Sequence, residues 1–318
     1  MKALVLDSSG VTIAERPIPT PKADEALVRV QMAGVCNTDV EIAKGYMGFS
    51  GVLGHELYGV VVDCDDASWM GKRVAGEINQ ACGHCEMCAR GLGRHCPTRT
   101  VMGILGADGC FAEYVALKKE NLHLLPDELD DERACFVEPT AAAFEILQQV
   151  PLTSDHSVVV LGDGKLGLLI AQVLAATGCN PTLVGRHERK LALARAKGVR
   201  VSELSALAPK SADVVIEATG SAKGMEAALH LTRPRGTLVL KSTYHGSVEL
   251  DAAPIVIDEL TLVGSRCGPF EPAIDALRRK AVDPRSMIDA IYPLARATEA
   301  LQYATEPGVL KVLLDMRS

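Results

Sequence analysis

The segment from His156 to Gly178 constrains this chain more than any other. It runs from HSVVVL through Gly162, Asp163, Gly164, Lys165, Leu166 and Gly167 into LGLLIAQVLAATG. A short apolar run of β-branched residues makes a buried strand, and the Leu- and Ala-rich stretch behind it has helical composition. Three glycines spaced GxGxxG between a strand and a helix allow a tight turn, close approach of the backbone to a pyrophosphate, and a helix N-terminus aimed at the phosphates. We read Gly162, Gly164, Lys165, Leu166 and Gly167 as dinucleotide contacts.

The same alternation continues. Strand patterns at PTLVG, DVVIEATG, GTLVLKS and LTLVGSR are separated by helical stretches at RKLALARAKG, up to His230, and at EPAIDALRRKAV. Strands alternating with helices build a doubly wound parallel sheet whose ligand lies at the carboxyl ends of the strands. The turns Thr219 to Ser221, Lys241 to Thr243 and Gly264 to Arg266 are expected there, with Thr219 and Gly220 as cofactor contacts. The tip of the second strand distinguishes NAD from NADP, because an acidic residue binds the ribose 2′-hydroxyl whereas a nearby arginine accommodates a 2′-phosphate. Here the strand ends Val184, Gly185, Arg186, with Arg189 and Lys190 beyond and no Asp at the tip. Gly185, Arg186 and Lys190 therefore predict NADP(H); the competing reading leaves Arg186 solvated and lets Glu188 serve NAD.

Upstream the pattern changes to short strands at Lys2–Leu6, Glu25–Met32, GVVVDC, KRVAG and AEYVAL, set between turn residues and a proline-rich PIPTPKADE. Short strands at close intervals suggest a β-barrel-like unit. Within it, ACGHCEMCARGLGRHC places Cys82, Cys85, Cys88 and Cys96 so that four thiolates can turn back onto one tetrahedral zinc. A redox CxxC needs two cysteines, not four. His84 and His95 in the same loop are read as solvated, since four cysteines saturate the metal.

A second set of ligand types is scattered. Cys36 and the neighbouring His55 and Glu56 lie in AGVCNTDVEIAKGYMGFSGVLGHE, and Glu138 lies in CFVEPTAAAFEIL. Zinc takes thiolate, imidazole and carboxylate ligands, and a catalytic site keeps one position open. Each of these residues alone reads equally well as core, a free cysteine above all. Only a fold that gathers them makes a site.

Composition narrows the function classes. The chain has 318 residues, enough for two domains, and a net charge of −7 that gives it no general attraction to nucleic acid or anionic membranes. Its start lacks the cationic flank and apolar run of a secretory signal, and no apolar run reaches membrane-spanning length. A cytoplasmic location is expected, where ten cysteines point to metal rather than disulfides.

Together GVCNTD, GVLGHE, the four-cysteine lobe, VEP, GDGKLG and the closing YPL and KVLLD segments resemble the zinc-dependent medium-chain dehydrogenase/reductase superfamily, in its alcohol and polyol dehydrogenase branch, over nearly the whole chain. The resemblance implies an α/β chain with a GroES-like catalytic domain (1–145 with 290–318) and an inserted Rossmann domain (146–289). It implies a catalytic zinc on Cys36 and His55, with Glu138 at the position of a third ligand and Glu56 binding or supporting the metal. A structural zinc on the four cysteines makes two per chain. It also implies Thr38 as the hydroxyl that relays the substrate proton, a small alcohol or carbonyl substrate, and a homo-oligomer, dimer or tetramer. Relatives often carry His where this chain has Glu41, so the relay beyond Thr38 departs from theirs. Two other functions remain open: zinc-free reduction of activated double bonds, and non-catalytic dinucleotide binding with structural zinc only.

Overall fold

The strand Glu25–Val35 is the spine of the first unit. It pairs antiparallel with Glu56–Cys64, Tyr114–Lys118 and Lys311–Asp315. In the computed structural model, which describes residues 1–243 and 249–318, the chain divides into two units, Met1–Glu138 with Ile288–Ser318, and Pro139–Met287. The spine strand belongs to a seven-stranded sheet, and two three-stranded sheets complete the β-rich unit. Ala26, Val28, Val30 and Met32 are buried along it.

Two elements here differ from what the sequence suggested. Gly10–Glu15 folds back on Lys2–Asp7 as a hairpin, with Asp7 opposite Gly10. Gly10 has φ 109°, a turn conformation that needs glycine. Ile288–Pro293, unassigned from sequence, runs parallel to Lys311–Asp315, and the helix Ala297–Tyr303 lies between them in the chain. A parallel pair needs such a crossover.

The second unit is the doubly wound sheet. Six parallel strands stand in the order Arg200–Ser202, Thr182–Val184, Val158–Leu161, Ala212–Glu217, Thr232–Leu240, Thr261–Gly264. The order reverses between Val158–Leu161 and Ala212–Glu217, where such folds bind their ligand. Val158 to Leu161 are all buried, as a strand covered on both faces requires.

The three glycines of the first turn have separate reasons. Gly162 has φ 113°, and a Cβ there would stand 2.6 Å from the Ala218 carbonyl. Gly167 sits in the helix Lys165–Ala176, where a Cβ would lie 1.9 Å from the Gly162 carbonyl. Around Gly164 nothing lies within 4 Å, so space is open where a pyrophosphate would approach. Alanine normally gains up to about 1 kcal/mol over glycine inside a helix. Gly167→Ala should reverse that sign: we expect a lower urea midpoint and weaker dinucleotide binding, measured by denaturation and by fluorescence titration.

Candidate metal and dinucleotide sites

The prospective catalytic ligands come from the end of the spine strand and from the strand beside it. Cys36 follows Val35 directly, at the start of the helix Asn37–Ala43, and His55 precedes the strand Glu56–Cys64. Ligand atoms of Cys36, His55 and Glu56 lie within 4.8 Å of one another. One residue that the sequence reading passed over fixes two of them. Asp39 is fully buried; its Oδ2 accepts the Cys36 amide N–H at 2.8 Å and its Oδ1 faces His55 Nδ1 at 2.9 Å. Binding Nδ1 to a carboxylate leaves Nε2 as the ligand atom and sets the ring's orientation. Burial would lower the His55 pKa, but the Asp39 carboxylate outweighs it and holds the value well above the ordinary one.

Glu56 is engaged on its other side. Its Oε2 pairs with Lys311 Nζ, and both residues are almost wholly buried. Gly34 lies opposite Glu56 in the sheet, and a Cβ at Gly34 would stand 2.2 Å from Glu56 Oε2 and 2.8 Å from Lys311 Nζ. The missing side chain is the passage through which the ion pair forms. Glu138, in the first turn of the helix Val137–Gln149, is outside the three-residue cluster. Its carboxyl is pushed up to about 7, by burial first and then by Glu56 and Glu77, against the opposing pull of His55 and Lys311. Thr38 Oγ1 is 3.7 Å from Cys36 Sγ. Glu41 holds Lys44 at 3.0 Å.

The four-cysteine lobe is built from local turns. Sγ atoms of Cys85 and Cys88 are 3.4 Å apart, those of Cys82 and Cys88 3.9 Å, and those of Cys85 and Cys96 3.8 Å. These are far from disulfide bonding, yet zinc–sulfur bonds of about 2.3 Å in a tetrahedron require sulfur separations of about 3.8 Å. His84 is exposed, with Nδ1 at the Cys82 carbonyl, and His95 is exposed as well.

At the dinucleotide turn, an acid from the glycine loop, Asp163, reaches the tip of the second strand. Its Oδ2 accepts the amides of Arg186 at 2.7 Å and His187 at 2.8 Å, and its carboxylate also meets His187 Nδ1 at 3.0 Å. Burial would raise the Asp163 carboxyl, but the bonds from His187 and Arg186 outweigh it and hold the carboxyl below its usual range. A Cβ at Gly185 would come within 2.5 Å of Asp163 Oδ2, so this glycine makes room for a carboxylate. Arg186 is exposed, Lys190 is buried, and Glu188 is turned onto Arg195, with Oε2 3.2 Å from Nη2. Farther along the crevice, buried Glu217 braces the next turn through the Thr219 amide at 2.7 Å, and the Gly220 amide donates to Ser242 Oγ at 2.9 Å.

Residues 22–127 match the alcohol dehydrogenase GroES-like domain, and residues 166–280 match the zinc-binding dehydrogenase family. A sorbitol dehydrogenase of Halalkalibacterium halodurans is 28% identical, with 99% of each chain covered. Among solved structures, a zinc-binding dehydrogenase described from Sinorhizobium meliloti 1021, bound to NADP, is 30% identical with TM-score 0.89, covering 99% of this chain and 98% of that one. A short chain alcohol dehydrogenase of Escherichia coli CFT073, complexed with NADH, is 28% identical with TM-score 0.91 and 99% of each chain covered.

Asp39→Asn should weaken zinc at the Cys36 cluster by about 10- to 100-fold, the usual effect of removing a ligand's carboxylate partner, and leave the four-cysteine lobe loaded. Across a chelator series, the zinc belonging to the Cys36 cluster would then be lost at lower chelator in the variant than in the wild type, with the lobe's zinc lost at the same point in both. A variant indistinguishable from wild type would remove Asp39 from the metal site.

Proposed function

The chain belongs to the zinc-dependent medium-chain dehydrogenase/reductase superfamily, and from that premise we propose that it interconverts an alcohol or polyol with its carbonyl, preferring NADP(H), on a zinc held by Cys36 and His55. The gathering of Cys36, His55 and Glu56 into one cluster, His55 and Glu56 buried and Cys36 partly so, with Asp39 behind two of them, is the observation that supports this reading most. A chain that used zinc only structurally would have no need of that arrangement. When bound, zinc supplies Lewis acidity to the substrate oxygen and the nicotinamide accepts the hydride.

The chain's own residues do the rest. Cys36, His55 and a carboxylate, Glu56 or Glu138, hold the metal; one thiolate and one carboxylate offset its formal charge. Thr38 passes the substrate's hydroxyl proton toward solvent, through water or Glu41. Residues 1–145 with 290–318 form the catalytic domain in this reading, and 146–289 the dinucleotide domain. NADP(H) preference rests on exposed Arg186 and on a strand tip without its own acid. A soluble cytoplasmic homo-oligomer completes the proposal: no helix among the described residues is long and apolar enough to cross a membrane. Val256 and Ile257, 75% and 76% exposed in the chain just before the edge strand Thr261–Gly264, offer an apolar surface for a second copy.

Elemental analysis of protein purified without chelators should give two zinc ions per chain. Cys36→Ser should abolish turnover of alcohols and polyols while leaving the unfolding midpoint near wild type; unchanged turnover would remove the catalytic-zinc assignment. A kcat/KM higher with NADH than with NADPH would refute the cofactor preference alone.

A further inference from the structure

The turn after Thr182–Val184 is more elaborately built than a solvated loop requires. Asp163, 8% exposed, reaches from the glycine turn to bind both the Arg186 and His187 amides and the Nδ1 edge of the His187 ring. Gly185 is compulsory for this, because a Cβ there would lie 2.5 Å from the Asp163 side chain. A carboxylate that spends its oxygens on two amides and an imidazole has little left with which to bind ribose hydroxyls. The neighbouring acid is occupied too: Glu188 is paired with Arg195. What the turn presents outward is basic. The Arg186 side chain is exposed and its guanidinium has no partner among the described residues, and the His187 side chain is half exposed with Nδ1 already engaged, which leaves Nε2 as its other polar edge.

We propose that His187 and Arg186 together bind the 2′-phosphate of NADP(H), and that Asp163 is the positioning residue, holding the His187 ring and the Arg186 backbone so that selectivity is set from the glycine turn. The proposal deepens the NADP(H) reading above and rests on it. With Nδ1 directed at Asp163, Nε2 is the edge of the ring left to meet a phosphate oxygen. The Arg186 guanidinium supplies the planar donor pair that suits a phosphate. Asp163 does not meet the ligand. Its negative charge is met by His187 and the two amides, so it does not repel the phosphate as a free strand-tip acid would.

The test is binding of NADP+ and NAD+, each titrated separately by calorimetry into the zinc-loaded full chain without alcohol. His187→Ala and Asp163→Asn should each weaken NADP+ by about 10- to 100-fold, the effect expected when a hydrogen bond to a charged group is lost, and leave NAD+ within about threefold. His187→Gln, which restores a donor, should recover part of the loss. Equal weakening of both dinucleotides would reduce Asp163 to a structural brace and overturn the proposal. Weakening of NAD+ alone would make Asp163 a ribose ligand and overturn it as well. If wild type prefers NADP+ and the variants keep that preference, this proposal fails and the cofactor reading stands; if wild type prefers NAD+, both fail. Should Asp163→Asn not fold, His187→Ala decides alone, since its side chain is half exposed.

Discussion

One buried carboxylate, Asp39, ties the candidate metal cluster to the fold. Asp39 accepts from the Cys36 backbone and faces the His55 ring, so the positions of two prospective ligands are set by a single side chain in the first turn of a short helix. That helix starts where the spine strand ends, and the strand Glu56–Cys64 starts where His55 ends. Strand register therefore determines ligand geometry: Gly34 opposite Glu56 and Val35 opposite Val312 bring Cys36, Glu56 and Lys311 to one end of one sheet. The arrangement is costly to perturb, because removing one partner of a buried ion pair leaves the other uncompensated, typically at about 3–5 kcal/mol. Glu56 with Lys311 is such a pair, and Lys311 lies in the last strand of the chain. The C-terminal strand thus supplies the counter-ion to a candidate metal cluster whose members all lie within the first sixty residues.

How much of this could be read beforehand depended on whether the determinant was local. Five strands of the doubly wound sheet were legible because each carries its own pattern, and the three glycines act within one turn; Arg200–Ser202, a three-residue edge strand, is too short to carry one and was not read. The four-cysteine lobe was legible for the same reason: its ligands lie within fifteen residues, and turn geometry alone brings their sulfurs together. Cys36, His55 and Glu56 could be named as ligand types, but their meeting depends on long-range pairing that no spacing records. Lys311 was invisible, since a lysine opening an apolar strand ordinarily reads as a solvated end. Asp39 left a faint signal, an acid three residues after a candidate ligand at a helix start, which on sequence alone is just as well an N-terminal cap. The parallel pairing of Ile288–Pro293 with Lys311–Asp315 is likewise non-local.

The two clusters solve the problem of holding thiolates in opposite ways. In the lobe, hydrogen bonds do the tuning. The His84 amide and then the Thr98 hydroxyl lower the Cys82 thiol to about 5, whereas burial and Cys85 push Cys88 up to about 11. The thiols are thus set unequal by their surroundings, and because zinc takes thiolates, metal binding there would be coupled to the local fold. At the Cys36 cluster the preparation is charge placement, with Asp39 and Glu56 against His55 and Lys311. Such a site holds its shape through packing and ion pairing in a sheet, which suits a centre that must keep a coordination position open.

The strand tip at Gly185 shows why a motif rule can give a reading for an incomplete reason. From sequence, a glycine before Arg186 reads as clearing space for a phosphate. In the structure the space is filled by Asp163, and the absence of an acid on the strand does not mean the absence of an acid at the site. Selectivity then turns on what that carboxylate is bonded to. If it were free, it would act as the missing ribose ligand and repel a 2′-phosphate. Bound to two amides and an imidazole, it instead orients the basic residues that face outward. In the proposed reading, the residue that decides between the two cofactors is the spacer of the GxGxxG turn, a position the motif leaves unspecified.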